Sequence, residues 1–277
     1  MTEASSCALC RETRPERFRI WFDGWLKLYR CRTCGFVAQY AGPGLDTPRT
    51  DYEDAYTLDF LSQGKEFMYP HRRRAFAAIA RRIRAVCPGG DLLDVGCGDG
   101  QFLQVCAEHG FSGRGVEHCG ALARYAAEKT GAAVVHGRYS RDLFPAESFD
   151  VVALIQVLEH LAEPLDTLRS ALFHLRPGGV LAVEVPSIRA PQFLAWRLTR
   201  VKRFVAPPAG IIPSHIGYYA PDTLERMVEA AGFELIFLTT GRWRERYAGL
   251  AGLTGRVLDP LFDLLRIGGI FYLGRKA

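Results

Sequence analysis

The chain has 277 residues, of which 48% are hydrophobic and 23% are charged, and its formal net charge is +5. This composition is typical of an ordinary globular protein, and so small a charge does not by itself indicate a nucleic-acid partner. No apolar segment follows Met1, and charged side chains interrupt the most apolar stretch, residues 247–273. We therefore expect a cytoplasmic protein with neither a secretory signal nor a membrane span.

The first forty residues contain two short cysteine pairs with the same spacing. Cys7 and Cys10 form one Cys-x-x-Cys pair, and Cys31 and Cys34 form the other, with a hairpin-like alternation of aromatic and polar residues between them. Each pair can place two thiolates on one ion, and two pairs complete a tetrahedral site. The pattern predicts a zinc ribbon over residues 1–40, whose zinc is structural because four thiolates leave no open position. The alternative is four unrelated thiols.

Residues 41–70 follow as a predicted linker and capping segment, because glycine and proline are frequent at its start. In residues 71–277 helical and strand patterns alternate, beginning with a basic helix over 71–86. Such alternation predicts an α/β fold with a doubly wound parallel sheet. The helix that begins at Pro164 is predicted to end at Pro177-Gly178, with Leu175 on its apolar stripe.

Residues 91–100, Asp-Leu-Leu-Asp-Val-Gly-Cys-Gly-Asp-Gly, join a short apolar strand to a helical pattern. Glycines at such a junction let the backbone turn sharply and bring N–H groups against a ligand at a helix N-terminus. The spacing of Gly96, Gly98 and Gly100 is G-x-G-x-G, whereas a dinucleotide fingerprint has G-x-G-x-x-G. Asp94 suits a ligand with an ammonium group, and the loop amides suit its carboxylate.

The segment from Asp94 to Gly100 resembles the first motif of class I S-adenosylmethionine-dependent methyltransferases. Residues 111–117, 148–161 and 175–186 resemble later motifs of that family, in the same order. The resemblance implies a mostly parallel, seven-stranded, Rossmann-like sheet with an antiparallel last strand at 270–273, and S-adenosylmethionine as the cofactor. It implies that Glu117 grips the ribose hydroxyls, and it leaves open how Arg138 and Tyr139 relate to the adenine. The residues that it assigns to the cofactor are Asp94, Gly96, Gly98, Gly100, Glu117, Gln156 and Arg72.

The segment near residues 187–220 is a candidate for acceptor binding. It follows the fifth strand of the expected sheet, where ligands bind in open α/β folds. Between Glu184 and Asp222 it has no acidic residue, and its basic residues are Arg189, Arg197, Arg200, Lys202, Arg203 and His215. A basic, partly apolar insertion favours a small anionic acceptor, such as a sugar, polysaccharide or metabolite intermediate. The alternative is a solvated amphipathic helix on the sheet edge.

Methylation of oxygen or carbon requires a general base, and His215 is the candidate, although a lone loop histidine is also compatible with a structural role. A second function remains open: a methyltransferase for ribosomal RNA bases, since some of these also carry an N-terminal zinc site. The sequence lacks the Asn/Asp-Pro-Pro-Tyr motif of base amino-group methylation, which disfavours a nucleic-acid substrate but leaves ring-nitrogen methylation of bases open. A third possibility is an adaptor with an inactive scaffold, but the intact Asp94 and Glu117 argue against it.

Overall fold

The structure is a computed structural model that describes residues 7–12, 16–21, 26–39, 70–189, 215–240, 258–261, 264–265 and 268–277. Pro70 begins a helix, whereas residues 41–69 of the predicted linker lie outside these ranges. So do most basic residues of the predicted insertion, namely Arg197, Arg200, Lys202 and Arg203. Within the described residues, no helix is both long enough and apolar enough to cross a membrane.

The described elements alternate between strands and helices over most of the chain. The strands are β1 (Glu16–Trp21), β2 (Leu26–Arg30), β3 (Val37–Gln39), β4 (Gly90–Val95), β5 (Phe111–Glu117), β6 (Ala133–His136), β7 (Phe149–Ile155), β8 (Leu175–Val185), β9 (Gly217–Tyr218), β10 (Phe233–Thr239) and β11 (Ile270–Lys276). The longer helices are α1 (Pro70–Val86), α2 (Gln101–Glu108), α3 (Gly120–Thr130), α4 (Pro164–His174) and α5 (Pro221–Ala230). Short 3₁₀ turns cover Arg141–Leu143 and Leu158–His160.

A seven-stranded sheet forms the centre of the fold, in the order β10-β11-β8-β7-β4-β5-β6. Its neighbouring strands are parallel, except that β11 runs antiparallel to both β8 and β10. The predicted doubly wound, mostly parallel sheet with an antiparallel last strand is thus confirmed. Residues 151–154 of β7 are fully buried, because helices cover both faces of a sheet of this kind.

Two apolar clusters lie on opposite faces of this sheet. Leu92 and Leu93, which are adjacent in β4, belong to different clusters, as the alternation of side chains along a strand requires. The Leu92 cluster includes Ile79 of α1 and Phe102 of α2. The Leu93 cluster includes residues of α4 and α5, such as Leu168. Each of these helices therefore packs the apolar side of its amphipathic pattern against one face of the sheet.

The predicted end of the helix that begins at Pro164 is wrong. The helix ends at His174, and Leu175 opens β8, which continues through Pro177 and Gly178 to Val185. Leu175 pairs with Phe149 of β7, and the register then shifts before the regular pairing begins. Pairing across the sheet overrides the helical pattern of Leu175, and Gly178 permits a positive φ of 73° at the irregularity.

A second, smaller sheet has the order β1-β2-β3-β9 and is antiparallel throughout. The predicted hairpin between the two cysteine pairs is confirmed as β1 and β2. Strand β3 pairs with β9 through Val37 with Tyr218 and Ala38 with Gly217. The sheet thus joins the N-terminal segment to residues that directly precede α5. The boundaries at residues 1–40, 41–70 and 71–277 remain predictions.

An aromatic contact and a set of ion pairs also connect the N-terminal segment to the part of the chain that surrounds the larger sheet. The rings of Phe36 and Tyr219 lie 5.3 Å apart between centroids, and the Tyr219 hydroxyl donates to the Leu158 carbonyl oxygen over 3.2 Å. Arg11 forms ion pairs with Glu163 and Asp166 at 3.1 Å and 3.2 Å. Since all three charged side chains are largely exposed, these ion pairs orient the segment more than they stabilise it.

His174 is a fully buried imidazole with hydrogen-bond partners at both ring nitrogens. Its Nε2 lies 3.0 Å and 3.1 Å from the carbonyl oxygens of Arg141 and Phe144, and its Nδ1 lies 2.7 Å from the Tyr139 hydroxyl. Because carbonyl oxygens only accept, Nε2 carries the hydrogen and Nδ1 accepts from Tyr139. Burial lowers the pKa of His174, and the nearby Arg141 charge acts in the same direction.

We expect this histidine to make the protein less stable in acid. The unfolded imidazole, with a pKa near 6.5, binds a proton more readily than the folded one, whose pKa is lower, so the free energy of unfolding falls as pH drops below 6.5. The limiting slope for one proton is about 1.4 kcal/mol per pH unit. Chemical denaturation of wild type and His174→Gln should show a stability difference that is largest at pH 8 and narrows toward pH 5. A difference that stays constant with pH would contradict the assignment.

Candidate cofactor and acceptor site

The candidate site lies at the carboxyl ends of β4 and β7. These strands are adjacent, and the sheet continues from β4 toward β5 and β6 but from β7 toward β8 and β11. Ligands of open α/β sheets bind at such a switch in strand order. A cavity of about 130 Å³ opens here. It is lined by the glycine loop, by Phe76, Phe102 and Ile155, and by the charged residues Arg72, Asp94 and Asp99.

The glycine loop presents bare backbone to this cavity. Gly96 and Gly98 have φ angles of 69° and 54°, in the left-handed region that favours glycine. A Cβ atom on Gly96 would come within 2.7 Å of Val157, so a side chain there would disturb the next loop. A Cβ on Gly98 would meet no atom of the described residues within 4 Å. Gly98 therefore leaves open space through which a ligand can approach the backbone.

Gly100 has a different role from the other two glycines. It caps the N-terminus of α2 with a φ of 76°, and it does not line the cavity. A Cβ atom at this position would lie 2.8 Å from Thr130 and 3.1 Å from Ala126, both in α3. The absence of a side chain thus allows α2 and α3 to pack closely.

Glu117 ends β5 and ties that strand to the glycine loop. One carboxylate oxygen accepts a hydrogen bond from the Gly98 amide, and the other accepts one from the Cys119 amide, each over 2.9 Å. Burial raises the pKa of Glu117, but the hydrogen bonds from His118 and the two amides outweigh it, and the pKa lies below its usual value. The side chain is therefore an ionised acceptor at neutral pH.

Acidic side chains outnumber basic ones among the residues that line the cavity. Asp94 is 2% exposed, and burial raises its pKa well above the usual value, with repulsion from Glu117 and Asp99 adding to the effect. The Arg72 guanidinium opposes this shift, and it also lies 5.2 Å from the Phe76 ring centroid. A ligand with positive groups would offset the remaining negative charge. S-adenosylmethionine, which carries an ammonium and a sulfonium group, fits these residues.

Gln156 directly follows β7 and has a φ of 61°, a conformation that costs a residue other than glycine roughly 1–3 kcal/mol. The backbone N–H of Gln156 donates a hydrogen bond to the Glu184 carbonyl oxygen over 2.8 Å, and this bond holds the turn in place. The strained backbone directs the chain from β7 into the 3₁₀ turn at Leu158–His160. Gln156 itself does not line the cavity.

His215 lies in a cluster that the sequence analysis missed. Its ring packs on that of His160, with centroids 4.7 Å apart and planes at 78°. The fully buried Glu159 belongs to the same group, since the ligating atoms of the three side chains lie within 4.8 Å of one another. Burial raises the pKa of Glu159 to about 8, and Glu184 acts in the same direction. The Glu-His pair four residues beyond the buried strand β7 was a signal for candidate ligands in this loop, although it did not indicate His215 as their neighbour.

Among the predicted basic residues, Arg189 is described and is already paired. Its guanidinium lies 2.8 Å from a carboxylate oxygen of Asp222, at the start of α5. The pair is half exposed and therefore contributes little to stability. The pair connects the chain beyond β8 with the start of α5.

The four cysteines of the N-terminal segment converge on one point. Cys7 and Cys34 have sulfur atoms 3.5 Å apart, as do Cys10 and Cys31, and all four sulfurs lie within 4.8 Å of one another. Tetrahedral zinc with Zn–S bonds of 2.3 Å would place its sulfurs about 3.8 Å apart. Gly35, with a φ of 76°, closes the second turn by donating to the Cys31 carbonyl oxygen. The group therefore fits one tetrahedral metal ion.

Comparison with protein families and curated proteins identifies similar chains. A family model described as a methyltransferase domain matches residues 69–238. A probable S-adenosylmethionine-dependent methyltransferase of Mycolicibacterium smegmatis is 27% identical over 163 residues, covering 58% of this chain and 59% of the relative. A ubiquinone biosynthesis O-methyltransferase of Paramagnetospirillum magneticum is 39% identical over 116 residues, which cover 39% of this chain and 46% of the relative. The chain spans about half of the length of these curated relatives.

Solved structures share the fold at low sequence identity. An S-adenosylmethionine-dependent methyltransferase from Archaeoglobus fulgidus has a TM-score of 0.56 and 19% identity, and it covers 80% of this chain and 100% of its own. A protein from Thermotoga maritima, described as a possible histamine N-methyltransferase, has a TM-score of 0.55 and 18% identity. The match covers 79% of this chain and 97% of that protein. At these identities the similarity shows the fold alone.

Proposed function

This chain belongs to the class I S-adenosylmethionine-dependent methyltransferases, and from that premise we propose that it methylates a small anionic acceptor at oxygen or carbon. The observation that carries the proposal is the buried His215, held beside a second imidazole and a carboxyl group. Oxygen and carbon acceptors must lose a proton, whereas many nitrogen acceptors already present a lone pair. The names of the ubiquinone O-methyltransferase relatives also support oxygen as the acceptor atom.

We propose that the polar groups of the cavity divide the cofactor between them. Asp94 would face the ammonium group, the amides of the loop around Gly96 and Gly98 would face the carboxylate, and Glu117 would accept from the ribose hydroxyls. When bound, S-adenosylmethionine supplies an electrophilic methyl group. The Arg72 guanidinium, which belongs to α1, would favour the ionised form of Asp94 by lowering its pKa.

Gly100 and Gln156 would act on the cofactor through the backbone that they shape. Gly100 sets the approach of α2 to α3, and Gln156 sets the path of the loop beyond β7. Most of the rate enhancement would then come from holding the acceptor in line with the methyl group and excluding water, since the displacement needs little covalent help from the protein. The remaining requirement is the proton, which we assign to His215.

The anionic character of the acceptor is supported by the absence of acidic residues between Glu184 and Asp222. Because Arg189 is paired with Asp222, the other basic residues of this stretch would supply the positive charge. We also propose zinc as the ion of the four-cysteine group, since thiolates prefer soft or borderline metals and the group is closed.

We expect the purified protein to form S-adenosylhomocysteine with a small acceptor from a panel of nucleoside-diphosphate sugars, phosphorylated metabolites and phenolic acids. With that acceptor, His215→Asn should lower kcat by about 10²–10⁴-fold, because a general base is lost, and leave the cofactor Kd unchanged. His109→Ala is the matched control, since the ring of this histidine is hydrogen-bonded to the Val105 carbonyl oxygen, outside the cluster of His215. If the protein methylates ribosomal RNA but none of the small acceptors, the small-acceptor proposal is refuted. If kcat is unchanged in His215→Asn, the assignment of His215 as the general base is refuted.

A further inference from the structure

The Glu159–His160–His215 cluster brings one carboxylate and two imidazoles together at the carboxyl end of β7. Glu159 comes four residues after Ile155, which lines the cofactor cavity. We propose that these three side chains form a binding site for one divalent metal ion of the Mn²⁺ type, which holds the oxygens of the acceptor. This inference rests on the proposed function and deepens it, because it assigns the acceptor an oxygen-rich, metal-binding face.

The geometry of the cluster is that of a site assembled from two distant parts of the chain. Glu159 and His160 lie in the 3₁₀ turn after β7, and His215 precedes β9. The Ile216 amide donates to the Glu159 carbonyl oxygen over 2.7 Å, which fixes the two segments against each other. Ligands of a transition metal at 2.0–2.2 Å lie roughly 3–4 Å apart. The ligating atoms here lie within 4.8 Å, so small side-chain rotations close the site.

The carboxylate of Glu159 provides an independent indication of a ligand. The side chain is fully buried, and neither oxygen has a hydrogen-bond partner among the described residues. Burying a carboxyl group without a partner is costly, and native proteins rarely leave one unsatisfied. Glu184 is buried nearby and adds negative charge to the surroundings. A cation between the two imidazoles and Glu159 would satisfy its oxygens and offset both charges.

The donor set also predicts what the ion would do. Two imidazoles and one carboxylate suit Mn²⁺ or Fe²⁺ and leave coordination positions open, whereas the four-cysteine group is soft and closed. An acceptor hydroxyl in an open position would lose its proton to water more easily, because the ion lowers the pKa of a bound oxygen acid. In the metal-bound enzyme His215 is then a ligand, and the ion takes over the activation of the acceptor.

The test is a titration of the full chain, purified with its thiol-bound metal, with Mn²⁺ alone. Free Mn²⁺ is followed by its electron paramagnetic resonance signal, and we expect one ion bound per chain. Glu159→Gln and His215→Ala should each weaken binding at least tenfold. His109→Ala should bind like wild type, since this histidine lies outside the cluster. Calorimetry with S-adenosylmethionine confirms that each variant is folded.

Absence of bound Mn²⁺ in the wild-type protein would overturn the proposal. This measurement does not depend on whether any variant folds. Equal Mn²⁺ binding by wild type, Glu159→Gln and His215→Ala would also overturn it, because the ion would then occupy another site. The outcome is distinguishable from a failure of the proposed function. An enzyme that methylates a small acceptor but binds no Mn²⁺ refutes only the metal site, whereas one that binds Mn²⁺ at the cluster but methylates only RNA refutes only the small-acceptor proposal.

Discussion

Replacement of Glu117 by alanine is expected to weaken S-adenosylmethionine binding by one to two orders of magnitude. The change removes the carboxylate proposed to accept from the ribose, and it leaves the amides of Gly98 and Cys119 without their acceptor. Each ribose hydroxyl left unpaired in the complex costs about 1–3 kcal/mol, and about 1.4 kcal/mol corresponds to a tenfold change in Kd. The two amides lose their acceptor with or without the cofactor, so their loss lowers stability rather than affinity. Isothermal calorimetry with S-adenosylmethionine measures the effect directly.

Two further variants sharpen this experiment. Glu117→Gln keeps one carbonyl oxygen as an acceptor, so its Kd for S-adenosylmethionine should lie between those of wild type and Glu117→Ala. Glu108→Ala removes an exposed carboxylate whose partner is Arg73, outside the cavity, and should leave the Kd unchanged. An unaltered Kd in Glu117→Ala would remove Glu117 from the proposed cofactor site, whatever its role in holding the glycine loop.

Cys31→Ser is expected to release the metal ion and to unfold the N-terminal segment. Metal binding supplies the folding free energy of a module this small, so metal analysis should change from about one ion per chain to almost none. S-adenosylmethionine should still bind with similar Kd, because Asp94 and the glycine loop belong to the larger sheet. Methyl transfer should fall at least tenfold, because β9, two residues after His215, loses its partner β3.

Cys87→Ser is the matched control for this variant. Cys87 is a partly buried thiol that lies next to the Gly89 carbonyl oxygen and outside the four-cysteine group, so its variant should keep both metal and activity. Absence of metal in wild type purified without chelators would refute the zinc ribbon. Complete loss of cofactor binding in Cys31→Ser would instead show that the N-terminal segment forms part of the cofactor site.

The features that the sequence predicted correctly depend on local patterns. The alternation of strands and helices indicated the doubly wound sheet, and the two cysteine pairs indicated the convergence of four thiols. The sequence could not distinguish Gly98, which faces open space, from Gly100, which lets two helices pack closely. That difference depends on α3, whose position follows from the folded sheet.

The features that the sequence did not predict depend on contacts between distant residues. Leu175 has a helical pattern, but its pairing with Phe149 makes it part of a strand. The cluster of Glu159 and His215 requires two segments to meet, and no periodicity within either segment indicates the other. The pairing of β3 with β9 is of the same kind, since a strand of three residues carries almost no signal of its partner.

The pairing of β3 with β9 also has a consequence for how the protein is made. On the ribosome, β3 emerges long before Gly217, and at 5–20 residues per second the interval is about 10–40 s. During this interval one edge of β3 has no partner, and an unpaired edge is a site for pairing with other chains. Because metal binding supplies the folding free energy of the N-terminal segment, the edge that β3 exposes while it waits for β9 is only three residues long. Metal supply during translation should therefore influence how much of the newly made protein aggregates.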